Sequence, residues 1–184
     1  KNNSKKYIKS DPLRTNELKK YLKSNNQLIC GLSWISKNEN IGPSKSILLD
    51  MLKPILSIGN IKFIDLQYND TKVERDQFLQ DNKINIIKIN EIDSFNDING
   101  ITSLIDVCDF IITVSNTNAH IAGALGKKTF LLLPKGKGRL WYWSSIKNKS
   151  AWYSSVEIVE QNFPGQWKPV INKVRKKIEG YISG

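Results

Sequence analysis

Phe110-Ile111-Ile112-Thr113-Val114 runs into Ser115-Asn116-Thr117-Asn118 and then into Ala119-His120-Ile121-Ala122-Gly123-Ala124-Leu125-Gly126. The reading of this stretch decides the fold. An unbroken apolar, β-branched run is a strand buried on both faces. The polar residues after it form a turn rich in helix N-cap types. The next run is helical, and its small residues let it lie close to a sheet. Gly126 ends it as a C′ residue. Thr129–Leu133 is then a second apolar strand, stopped by Pro134. A strand, a crossover helix and a strand together predict parallel pairing.

Outward from this unit the alternation repeats. Residues 28–34, 62–66, 84–89 and 156–159 read as further strands. Pro12–Leu22 reads as a helix with Asp11 as N-cap and Pro12 at the first helical position. Leu48, Met51, Leu52 and Ile55 keep a helical spacing, with Pro54 kinking or shortening that helix near its end. Residues 74–79 and 101–107 are short helices. A closing helix from Trp167 carries Val170, Val174 and Ile178. Residues 35–44, with Gly42-Pro43, read as a polar loop. The expected fold is α/β: a single doubly wound, Rossmann-like domain over residues 1–184, with a mostly parallel sheet of about six strands and a basic lead-in at 1–10. Ligands of such sheets bind outside the carboxyl ends of the strands, near a topological switch point.

With 184 residues the chain is long enough to bury a sizeable core. At 40% hydrophobic and 24% charged it reads as globular. No apolar run approaches the ~18 residues of a membrane span. The basic, polar first residues carry no apolar signal-peptide region. The chain begins without Met, which points to a piece of something longer. Cys30 and Cys108 lie in or beside apolar runs and are expected to be buried, inert thiols, consistent with a reducing cytoplasm. Two Cys and one His provide no zinc framework, so no metal site is expected. The net charge of +11 is spread along the chain rather than gathered in one block. That argues against a nucleic-acid interface and fits attraction of a small anion such as a diphosphate.

The turn at Ser115, Asn116, Thr117 and Asn118 carries the chemistry. A helix N-terminus presents free N–H groups and a positive dipole end, which together make an anion site. The same residues are also ordinary N-caps, and His120 has no visible partner, so a purely structural turn stands beside the phosphate reading. Trp141, Tyr142, Trp143, Trp152 and Tyr153 form either a stacking wall for a base or sugar, or a satellite core under a long loop. Lys135, Lys137 and Arg139 either add charge near phosphates or line a solvated loop.

Residues 109–134 resemble the donor-site segment of heptosyltransferase-like glycosyltransferases (glycosyltransferase family 9). They are especially similar to the glycosyltransferase-like domain that follows tetratricopeptide repeats in many bacterial proteins. That pattern reads D-x-x-I-x-V-D-[NT]-[ST]-x-x-H-L-A-G-A-L-G-x-x-x-x-x-L-L-P. Gly31-Leu32-Ser33-Trp34, Lys45-Ser46-Ile47, Asp65-Leu66-Gln67, Trp141-Tyr142-Trp143, Ala151-Trp152-Tyr153 and Glu160-Gln161 resemble further elements of the family, in the same order. The resemblance implies the C-terminal, nucleotide-sugar-binding half of a GT-B fold. It places Asn116, Thr117 and Asn118 on the donor's phosphates with His120 nearby. Lys45 faces the same phosphates, Ser33 reaches them from its strand end, Gln67 lies near the nucleoside and Glu74 near the ribose hydroxyls. Ser115 departs from the Asp that many relatives carry, where an Asp could order the turn or hold a sugar hydroxyl. The implied enzyme is metal-independent and uses no cofactor besides its nucleoside diphosphate sugar. It is incomplete without an N-terminal domain or repeats of the same protein. The acceptor and the catalytic base are not assigned. The rival reading is a non-catalytic module, attached to tetratricopeptide repeats, that binds a nucleotide or sugar phosphate or serves as an interaction platform.

Overall fold

The computed structural model describes residues 5–23 and 26–183. Residues 1–4 of the expected basic lead-in lie outside them. The parallel strands are β1 (Leu28–Ser33), β2 (Ile61–Asp65), β3 (Ile86–Ile87), β4 (Phe110–Val114), β5 (Thr129–Leu133) and β8 (Val156–Glu160). A small antiparallel hairpin, β6 (Ser145–Ile146) and β7 (Lys149–Ser150), adds to β8. Among the described residues the sheet thus has eight strands, in the order β3-β2-β1-β4-β5-β8-β7-β6. The order reverses between β1 and β4, which is the switch point where α/β sheets bind ligands.

The six expected strands are present, with β3 trimmed to two residues. The hairpin was not expected. Its strands are two residues each, and its turn uses Lys147 (φ 50°) and Asn148 (φ 63°) rather than the usual glycine.

Asp11 caps α1 (Pro12–Leu22), accepting from the N–H groups of Leu13 and Arg14 at 2.8 and 3.1 Å. Arg14 in turn grips Asp97, which caps α5 (Ile98–Val107) through the Gly100 N–H at 2.8 Å. That cap starts α5 earlier than the apolar periodicity implies. Residues 35–44 are not all loop, because α2 (Gly42–Lys45) occupies their end with Pro43 in its first turn. The helix expected around Leu48 and Ile55 is instead a 3₁₀ turn, Leu49–Leu52, followed by α3 (Lys53–Leu56). Pro54 opens α3 rather than kinking a longer helix, since its missing N–H costs nothing in a first turn. Helices α4 (Lys72–Asn82), α6 (Thr117–Ala124) and α7 (Trp167–Ser183) complete the chain. Gly126 closes the α6 turn with φ 72°.

The sheet is covered on both faces. On one, Phe63, Phe110, Ile112 and Phe130 pack against Val170, Val174 and Ile178 of α7. On the other, Ile29, Ile64 and Ile111 meet Leu22, Leu104 and Ile121 of α1, α5 and α6. This is why β4 is apolar throughout rather than alternating. Cys30 and Cys108 are free and buried. Burial raises both thiols, Cys108 to about 12, so neither forms a reactive thiolate.

Candidate functional site

At the switch point three strand ends are tied by side chains. Ser33 Oγ, at the end of β1, donates to Gln67 Oε1 at 2.6 Å and accepts from Asn116 Nδ2 at 2.7 Å. Gln67 Oε1 also accepts the Ile35 N–H at 3.2 Å. Asn116 Oδ1 caps α6 through the Asn118 N–H at 3.1 Å, and Asn118 Nδ2 donates to the Leu66 carbonyl at 2.8 Å. Ser33, Gln67 and Asn118 are buried. Their hydrogen bonds join β1, β2 and β4 to one another rather than pointing outward.

Behind this latch lies a charge cluster that the sequence reading passed over. Buried Asp65, at the end of β2, accepts from the Gln67 N–H at 2.6 Å and from the Thr71 hydroxyl. It also lies 3.2 Å from Arg75 Nε and 3.8 Å from Lys88 Nζ, while Lys88 donates to the Gln67 carbonyl. Burial pushes the Asp65 carboxyl up and the Lys88 ammonium down; Lys88 and Arg75 partly restore the carboxylate. A carboxylate at the end of a mostly apolar strand was the sequence signal for it.

The open face belongs to Thr117, which is exposed, and to Asn116 and His120, which are half-buried. His120 stacks on Trp143 at 4.5 Å and 24°, with Nδ1 3.4 Å from the Tyr153 hydroxyl. Burial lowers its pKa, so the ring is neutral at pH 7. Ser115 points the other way: buried, it accepts from Trp143 Nε1 at 2.9 Å. The Ser-for-Asp departure therefore falls on a side chain aimed into the aromatic cluster, not into the open turn. The aromatic stretch divides accordingly. Trp143 is buried with Leu131, Leu133, Val156 and Ile158, with Tyr142 and Tyr153 against it. Trp141 and Trp152 remain 82% and 57% exposed.

Lys45 ends α2 on the same edge of the sheet. Ser46 Oγ accepts from the Ser36 N–H at 3.0 Å, and Asn116 Nδ2 lies 3.4 Å from the Ile35 carbonyl. These contacts hold α2 beside the β4–α6 turn. Lys45 is only 5% exposed. Its stem lies against Gly138, where an added Cβ would sit 2.9 Å from Lys45 Cγ and where φ is +85°. Among the described residues it makes no ion pair, and burial alone lowers its pKa. Neighbouring cations differ. Lys135 and Arg139 both face Glu160, at 3.8 and 3.2 Å, and Arg139 also donates to the Trp143 carbonyl at 2.8 Å. Lys137 is exposed. Glu74 accepts from Trp34 Nε1 at 3.1 Å, and burial raises its pKa.

No family model matches the chain. Protein FlbA of Caulobacter vibrioides is 24% identical over 155 residues, which cover 83% of this chain and 25% of that protein. Among solved structures, Escherichia coli ADP-heptose LPS heptosyltransferase II superposes with a TM-score of 0.57 at 12% identity, over 94% of this chain and 54% of that one. The glycosyl transferase family 9 protein of Veillonella parvula gives 0.65 at 10% identity, over 95% and 52%. The chain thus spans about half the length of these two glycosyltransferases and a quarter of FlbA. It has the α/β fold, with a mostly parallel sheet, seen in that half.

Proposed function

We propose that residues 1–184 are the nucleotide-sugar-binding, C-terminal-type half of a metal-independent GT-B glycosyltransferase. The observation that carries this reading is Lys45, a lysine only 5% exposed and without an anionic partner among the described residues, at the carboxyl edge of the sheet. A cation stripped of part of its water gains when an anion joins it. A diphosphate at the N-terminus of α6 supplies that anion, with Thr117 and Asn116 offering further donors. With the Tyr153 hydroxyl donating to Nδ1, His120 carries its proton on Nε2 and donates to a phosphate oxygen. As the sugar departs, charge grows on the diphosphate, and Lys45 and the α6 amides stabilise it in place. Ser33, Gln67 and Asn118 act through the latch, holding the strand ends for the donor. An N-terminal domain or repeats of the same protein supply the acceptor side and the base. Among the described residues no helix is long and apolar enough to cross a membrane. The two free thiols suit the cytoplasm, where we place the protein.

Thermal melts against UDP, GDP, ADP, CMP and their sugar conjugates test this. A ligand at ~100 times its dissociation constant stabilises by about 2.7 kcal/mol. The expected result is a selective shift with one nucleoside diphosphate. In Lys45→Met that shift disappears while the ligand-free protein melts higher, because the desolvated charge is gone. No shift with any nucleotide, or a shift that survives Lys45→Met, sinks the reading.

A further inference from the structure

Next to Tyr153 in the chain, a cleft of about 540 Å³ opens between the N-terminal segment, the β6–β7 hairpin and residues 150–154. Lys5, Tyr7, Lys147, Lys149, Ser150 and Trp152 line it, and no Asp or Glu does. Its three lysines are exposed and form no ion pair among the described residues. Elsewhere this chain gives Lys128 and Lys177 to Glu157, Lys127 to Asp106 and Lys72 to Asp76. Trp152 leaves more than half of its surface in solvent, where burial would favour hiding it. Lys5 Nζ sits 5.3 Å over the Tyr7 ring, and the Tyr7 hydroxyl donates to the Trp152 carbonyl at 3.1 Å, so the cleft's walls are braced together. Lys147 holds a left-handed backbone, φ 50°, which a lysine adopts only at a cost and which here sets it at the tip of the hairpin.

We propose that this cleft binds an anionic saccharide, a sugar ring bearing a carboxylate or phosphate. The exposed indole offers a flat apolar face for the C–H side of a ring. The unpaired lysines surround it with positive charge and no competing acid. The volume is that of a single small-ligand site. One stacking platform suits one ring, whereas a nucleic-acid strand requires several in series. Tyr153 lies between Trp152 and Ser154 of the cleft and touches His120 with its hydroxyl. The binding does not depend on the transferase reading.

Fluorescence and calorimetric titrations with tetragalacturonic acid, mannose 6-phosphate, neutral maltotetraose and oligothymidylate test the proposal on the whole chain. The acidic sugars bind, maltotetraose does not, and binding weakens as salt rises. Whichever acidic sugar binds identifies the charge as carboxylate or phosphate. Trp152→Ala weakens binding about tenfold, the loss typical of one aromatic platform. Lys147→Gln and Lys149→Gln each weaken it roughly two- to fivefold, and Phe163→Ala, at an exposed aromatic elsewhere, leaves it unchanged. Lys45→Met removes the nucleotide response but keeps saccharide binding, so the two readings fail separately. Equal binding of maltotetraose, tighter binding of oligothymidylate, no binding of either acidic sugar, or indifference to Trp152→Ala overturns it.

Discussion

Gly123→Ala sets two effects of opposite sign against each other. Gly123 lies inside α6, and by propensity alone alanine there stabilises the helix by about 1 kcal/mol. Its Cβ, however, would lie 2.5 Å from Tyr153 Cγ, 2.6 Å from Cδ2 and 3.0 Å from Cβ. These are the root of the ring, not a flexible tip. Relief to an ordinary contact of ~3.5 Å requires a movement of about 1 Å. Tyr153 is not free to make it, being held edge-on to Tyr7 at 5.9 Å and tied at its carbonyl to the Val156 N–H at 2.9 Å. Overpacking of this kind costs about 1–3 kcal/mol. The net expectation is a destabilisation of about 0–2 kcal/mol, hence a melting temperature lower by up to about 8 °C for a chain of this length. Calorimetric melts measure it. An NMR titration supplies a second readout, since displacing Tyr153 uncovers His120 and raises its pKa toward the ordinary value. A variant that melts above the parent means that Tyr153 is not seated on Gly123, and the description of the aromatic cluster fails with it.

Ser115→Ala leaves Trp143 Nε1 buried without its acceptor, a loss of about 1–3 kcal/mol in urea denaturation. The same variant keeps the nucleotide-induced shift; unchanged stability, or loss of the shift, contradicts the orientation assigned to Ser115. His120 makes stability depend on pH. Above pH ~6.5 the ring is neutral in both folded and unfolded chains. Below it the unfolded chain takes up a proton that the buried ring resists, so stability declines until the lowered folded pKa is reached and is constant beyond. His120→Gln flattens that decline; an NMR pKa for His120 at or above the ordinary value contradicts it.

Strand β4 and helix α6 were legible because their physics is local: an unbroken apolar run, capping residues, and a glycine where φ is positive. The hairpin β6–β7 was not, because two-residue strands have no periodicity and Lys147-Asn148 is not a usual primed turn. Pro54 was legible as a breaker but not as a start, since only the fold reveals that a 3₁₀ turn precedes it. In the site, the start of a helix after Ser115 and Asn116 was legible from its capping residues, but not which of its side chains face outward. The roles of Ser33 and Gln67 did not. Their bonds join residues 34 and 83 positions apart, and no local pattern encodes such a pairing. The isolation of Lys45 was equally hidden, because being without a partner is a property of the folded neighbourhood.

The sheet ends at β3 on one side and at β6 on the other, each two residues long. An outermost strand so short offers almost no row of unpaired amides for another molecule to zip onto. On the β8 side the hairpin does this by covering. The Ile158 N–H is already spent on the Asn148 carbonyl at 2.7 Å, and Lys147 and Lys149 place charge where a second sheet would approach. Trimming residues 145–150, an innocuous-looking loop deletion, would uncover the edge of Val156–Glu160, a longer strand with three β-branched residues, to pairing with another chain. These six residues, five of them polar, are, on this view, what keeps copies of the chain from joining edge to edge.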